Sequence, residues 1–224
     1  MLSSTLLYGA GDALVLLVGG FLLLLLYTHT LSQTEFGQYV VIRTGIELLT
    51  YLLHFGLLSA VARLYFDYQG TDSRRGYLSS VVMLFLLLLV VWMALLAGWG
   101  ERAWRLLAPG APAQPYLWFS VAIAVVGFFG MLASTWLRLD ERAGAFAALQ
   151  VTAAVALAVT AFVNLSVLSL GLPGLLVALL AAPAVSAAIL PWQFRDGFRP
   201  RLQVAHARAT LHYALPAVAS LVAY

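Results

Sequence analysis

The sequence has no cysteine among its 224 residues, which excludes disulfides and thiolate metal centres and leaves the redox compartment unrecorded. Charge is scarce too: 9% of residues are Asp, Glu, Lys or Arg, against about a quarter in soluble domains. No stretch alternates polar and apolar residues as a half-buried strand would. There is no Walker loop, GxSxG, HExxH or GxGxxG, so nothing points to an ATP-driven pump. His206 and His212 lack further clustered ligands and form no metal signature. The opening MLSSTLLYGAGDA has no basic n-region, and no A-x-A site follows the Leu-rich run, so a removable signal peptide is not expected.

What remains is apolar. Hydrophobic residues make up 63% of the chain, and the mean hydropathy is +0.96. Runs of about 20 apolar residues are what a helix needs to cross about 30 Å of hydrocarbon. Six such runs and the start of a seventh predict an all-α, polytopic membrane helix bundle. The expected helices cover about 6–27, 36–62, 77–99, 116–137, 145–167 and 174–190, with Pro183 bending the last. Polar segments at 28–35 and 63–76, an interfacial stretch at 100–115 and a tight turn at 169–173 separate them. On the fifth helix Ala147, Ala154, Ala158 and Ala161 share a face suited to packing. Asn164-Leu165-Ser166 fits a glycosylation sequon but falls inside a membrane run. The organisation expected is a six-helix lobe over 1–190, a cytoplasmic basic loop over 191–210, and a truncated seventh helix over 211–224.

The arginines predict orientation. Arg63, Arg74 and Arg75, then Arg138 and Arg142, then Arg195, Arg199, Arg201 and Arg208 fall on one side, and only Arg102 and Arg105 on the other. By the positive-inside rule the first group is cytoplasmic, as is the N-terminus. Each reads most simply as a topology signal. The basic balance, formally +3, then needs no nucleic-acid partner.

Helix two departs from this pattern because it carries Arg43, Glu47 and His54 within an apolar run. At about 100° per residue the three fall within roughly a 40° sector, with Tyr39 and Thr50 beside them. Charges in hydrocarbon cost at least about 2.5–3.5 kcal/mol each, so such a stripe faces protein or a wet cavity. A simpler reading makes Arg43 and Glu47 an i,i+4 ion pair that eases insertion. Arginine's planar fork suits phosphate oxygens. Arg43 is therefore the expected contact to an anionic ligand, Glu47 its counter-charge in the empty state, and Tyr39 and Thr50 lining residues. Asp12 and His54, at similar expected depth, are candidates for proton or ion coupling, although a histidine at a helix end can simply reach the interface.

Residues 31–39 (LSQTEFGQY), 56–65 (GLLSAVARLY), 137–146 (LRLDERAGAF) and 211–224 (LHYALPAVASLVAY) resemble the polysaccharide-biosynthesis flippases. These are the O-antigen and exopolysaccharide transporters of the superfamily that includes the multidrug and toxin extruders. The resemblance spans nearly the whole chain. It implies the first lobe of a two-lobe fold, either as a fragment or as a half-size protein that dimerises. The implied activity is transport of polyprenyl-pyrophosphate-linked oligosaccharide from the cytoplasmic to the outer leaflet of a bacterial inner membrane. The implied partners are lipid-linked oligosaccharide, membrane lipid and polysaccharide polymerases; no enzyme activity or cofactor is implied. Two departures stand out: a basic N-terminal tail is missing, and Asp12 stands where a small or polar residue is usual. A cation-coupled multidrug exporter of the same fold, with Glu47 and Asp12 as ion sites, is the alternative. A non-transporting scaffold of a polysaccharide-assembly complex leaves the buried stripe unexplained, and a membrane glycosyltransferase would be expected to carry a loop of paired carboxylates, whereas Asp67 and Asp72 stand with Arg74 and Arg75 as ordinary loop charge.

Overall fold

In hydrocarbon a backbone must satisfy its hydrogen bonds within its own segment, and the apolar runs duly fold as helices. The computed structural model describes residues 23–195 and 202–222, together with Gly9, Ala13, Leu17 and Phe21. No strand occurs among the described residues. The helices are α1 (Leu23–Thr30), α2 (Gln33–His54), α3 (Leu57–Leu64), α4 (Thr71–Leu107), α5 (Tyr116–Leu139), α6 (Ala143–Phe162), α7 (Gly171–Ala187), α8 (Leu190–Phe194) and α9 (Val204–Val222). Four spans are long and apolar enough to cross a membrane: Thr71–Leu107, Tyr116–Leu139, Ala143–Val167 and Gly171–Phe194. The bent pair Gln33–His54 and Leu57–Asp67 would make a fifth. The chain is a multi-pass membrane protein. Four or five spans stand among the described residues where six and the start of a seventh were expected, and most of the first expected run lies outside those residues.

Several boundaries move for local reasons. The polar segment at 28–35 shrinks to two residues, because Ser32 and Glu35 form a capping box that starts α2 at Gln33. The Ser32 backbone N–H donates to Glu35 Oε2 (3.0 Å), and the Glu35 N–H donates to Ser32 Oγ (3.3 Å). Helix two does not run unbroken to Ala62. Phe55 and Gly56 both take positive φ, which ends α2 at His54. A Cβ on Gly56 would lie 3.0 Å from the Ala214 carbonyl oxygen, so the glycine both makes the break and admits α9. The expected loop at 63–76 is largely helical, since α3 and a 3-10 turn carry the chain to Asp67 and α4 begins at Thr71. The far end of α4 continues to Leu107 through the expected interfacial stretch, where Trp104 is fully buried. Its indole N–H donates to the Ala111 carbonyl (3.2 Å), and its ring covers Gly45 on α2. The expected basic loop at 191–210 contains α8 and the first turns of α9. α7 carries Pro183 within its length.

The chain forms two compact units. The first comprises the described residues up to Thr50 together with Glu101–Ile189, and so holds α1, most of α2, α5, α6 and α7. There α7 packs against both α5 and α6. Leu137, Phe146 and Leu149 form a buried cluster that Val185 and Ile189 cover. Gly130 on α5 touches α7 so closely that a Cβ would lie 2.8 Å from the Pro183 carbonyl oxygen. α6 widens into a π-turn, Val163–Val167, and Asn164 there donates to the Gly174 carbonyl (3.0 Å). The sequon asparagine is thus a buried link between helices.

The second unit comprises Tyr51–Gly100 and Leu190–Tyr224, and in it α9 packs on α3. Tyr68 stacks on Tyr77 with ring centroids 4.5 Å apart, and the His206 ring meets both edge-on at 4.7 and 5.8 Å. Ser80 Oγ lies 3.2 Å from His206 Nδ1, and Thr210 Oγ1 donates to the Tyr77 hydroxyl at 3.4 Å.

Candidate functional site

The first unit forms a half-open cavity of about 640 Å³. α2 contributes Arg43 and Thr50, seven residues and so two turns apart. α5 contributes Ile123, Gly127, Gly130, Met131, Ser134, Thr135 and Arg138, a spacing of three and four that marks one helical face. Gln150, Ala153, Ala154 and Leu157 of α6 and Ala182, Pro183 and Ser186 of α7 complete the lining. The space exists because the facing positions are small: a Cβ on Gly127 would meet nothing within 4 Å.

The electrostatics are one-sided. Two guanidiniums, Arg43 and Arg138, and five neutral polar side chains, Thr50, Ser134, Thr135, Gln150 and Ser186, face the cavity. No carboxylate lines it among the described residues. Arg43 Nε donates to Glu47 Oε1 at 2.9 Å. Both side chains are about half exposed, so the pair is a wet one and worth little as a brace. The guanidinium also interacts with the Tyr39 hydroxyl. Tyr39 itself is buried and meets Tyr27 edge-on at 5.2 Å. Thus Tyr39 and Glu47 both contact Arg43, and Thr50 lines the cavity beside it.

The other expected site residues fall elsewhere. His54, the last residue of α2, is buried in the second unit, where its ring meets Phe85 edge-on at 6.4 Å. Asp12 lies outside the described residues. Among the described residues no group of three His, Asp or Glu side chains could hold a metal ion.

Sequence reasoning missed Arg138 as a cavity residue. It opens a charged turn and reads as a topology signal, yet its guanidinium stacks on the Phe146 ring, 4.4 Å from the centroid. The Phe146 ring is itself fully buried. The signal that could have found it is the α5 face itself, where glycine and hydroxyl residues recur every three or four positions and end in arginine. Ala154, expected only to pack, lines the cavity as well.

Compared with known proteins, the chain matches no family model, no curated protein and no solved structure.

Proposed function

We propose that this protein is a membrane transporter that moves polyprenyl-pyrophosphate-linked oligosaccharide from the cytoplasmic to the outer leaflet, in a bacterial inner membrane and with a cytoplasmic N-terminus. The observation that carries this reading is the cavity's lining of two arginines and neutral hydroxyl and amide groups, with no carboxylate among the described residues. A pyrophosphate needs fixed positive charge and planar donors, and sugars need neutral donors and acceptors. The lipid tail can stay in the bilayer while these groups cross. In this mechanism Arg43 binds the anion, and Glu47 holds the guanidinium until ligand arrives. Tyr39 fixes the guanidinium from the other side, and Thr50 offers a hydroxyl to the passing sugar. Reading the same cavity as a cation site for a multidrug exporter would leave an organic cation beside Arg138 with no lining carboxylate among the described residues, since Glu47 is engaged with Arg43.

The test is the lipid content of a strain lacking the gene, complemented by the intact protein or by Arg43→Ala. Polyprenyl-linked oligosaccharide should accumulate at the cytoplasmic leaflet of the deletion strain, with the surface polymer lost. The intact protein should reverse this, and Arg43→Ala at equal membrane abundance should not. Full rescue by Arg43→Ala would exclude the phosphate contact. Unchanged glycolipids with raised sensitivity to cationic drugs would favour the exporter instead.

A further inference from the structure

Two contacts fix the relative heights of the cavity's groups. Glu35 near the start of α2 accepts a hydrogen bond from the Leu172 backbone N–H at the start of α7. A Cβ on Gly171 would come within 2.5 Å of its carboxylate. From this contact α2 and α7 run the same way, since both go on to line the cavity. Arg43 is eight residues beyond Glu35 and Pro183 eleven beyond Leu172, so they lie about 12 and 16 Å along the two helices. Gly130 of α5 packs against Pro183 and Ser186. Leu137, beyond Gly130, belongs to the cluster that Val185 and Ile189, beyond Pro183, cover, so α5 runs the same way as α7, and Arg138, eight residues beyond Gly130, lies about 12 Å further still. The two arginines are therefore separated by roughly 16 Å along the cavity, on the same rise per residue. The neutral side chains of Ser134, Thr135 and Ser186 occupy the interval.

From this arrangement we infer that Arg138 is a second anion-binding residue, at the opposite end of the cavity from Arg43, and that an anion occupies the two in turn. The inference rests on the transporter reading and adds a step to it. Arg138 lies at the end of α5, beside the charged turn Asp140, Glu141 and Arg142, where a ligand enters from water. Phe146 holds the guanidinium by its face, and a guanidinium's N–H donors lie in its own plane. A fixed stacking partner thus aims the donor edge and lowers the entropic cost of binding. The polar groups between the arginines carry no charge, so they solvate sugar hydroxyls and do not trap the anion midway.

The test is calorimetric titration of the purified full chain with inorganic pyrophosphate. Wild-type protein is expected to bind two equivalents. Arg138→Gln should bind one and leave the affinity of the remaining site unchanged, whereas Arg43→Gln should lose the other. Arg138→Lys, which keeps the charge without the fork, should weaken its site about tenfold, the scale of one charge-assisted hydrogen bond. Arg142→Gln removes a charge from the same turn without touching the lining and should bind two equivalents. Two unaltered equivalents in Arg138→Gln, or a single site in the wild type, would overturn the inference. If Arg43→Gln loses a site while Arg138→Gln does not, only the second station fails. If neither substitution changes binding, the phosphate contact behind the transporter reading fails with it. Equal thermal unfolding midpoints for the Gln variants and the wild type would show that lost binding is not lost folding.

Discussion

The two units place the polar side chains of their helices differently, although each has some facing open space: Ser59, His212 and Tyr213 line such a space in the second. In the first, small residues on α5, α6 and α7 leave a shared space unfilled, and Arg43, Arg138, Gln150 and several hydroxyls face it. In the second, the polar groups meet one another: Ser80 with His206, Thr210 with Tyr77, and Tyr68 stacked against Tyr77. Ser79 and Ser80 bond back to the carbonyls of Arg75 and Gly76 within α4. At these places the size of the residues opposite decides the outcome: glycine and alanine leave room beside α5, whereas Tyr68, Tyr77 and His206 pack face and edge against one another.

Filling that room is the sharpest way to break the contrast. Gly127 lines the cavity, and a Cβ there meets nothing. Gly127→Leu should therefore fold normally, gaining up to about 1 kcal/mol from helix propensity, while blocking transport nearly completely. The readout is surface polymer restored per molecule in the membrane. Normal transport by this variant would mean that the ligand does not pass through this space. The next effect is on stability. Three residues away, at Gly130, a Cβ would meet the Pro183 carbonyl at 2.8 Å and the Pro183 Cα at 3.1 Å, and a backbone cannot step aside as a side chain can. Gly130→Ala should cost about 1–3 kcal/mol, seen as a lower unfolding midpoint in detergent. Two glycines on one face should thus give opposite signs. A destabilised Gly127→Leu and a neutral Gly130→Ala would refute the packing described for α5.

Much of this fold was legible in the sequence, because apolar runs of bilayer length admit little besides helices. The extents of α5 and of α6 with its π-turn follow closely from hydropathy and the flanking charged or tight turns. The break in α2 was not legible. Gly56 is visible, but a glycine inside an apolar run breaks a helix only when tertiary packing rewards it, and that reward is the approach of Ala214, more than 150 residues away in sequence. The capping box at Ser32 and Glu35 was legible as S-x-x-E, although polar residues in a row also read as a turn. Within the candidate site, the polar face of α2 pointed to Arg43 and Thr50. Arg138 was obscured because an arginine at a helix end satisfies the positive-inside rule whether or not it also faces a cavity.

The smallest expected effect belongs to the second unit and follows from His206. Partial burial lowers its pKa from the ordinary histidine value. Its ring is packed by Tyr68 and Tyr77, and burial is the one cause at work, with no charged neighbour contributing. Burial likewise raises the Tyr68 pKa further above 10, with a smaller contribution from Asp67, so this tyrosine stays neutral across the acid range. A group that resists protonation when folded lets the unfolded chain bind the proton first. Stability should be flat above about pH 6.5, the unfolded histidine value, and fall as pH drops from there towards the lower folded value. His206→Phe keeps a ring against the two tyrosines but cannot titrate. It should lose the contact to Ser80 at every pH, lowering the unfolding midpoint by a constant amount and removing the slope below pH 6.5. An unchanged slope in the variant would assign the acid sensitivity to other groups.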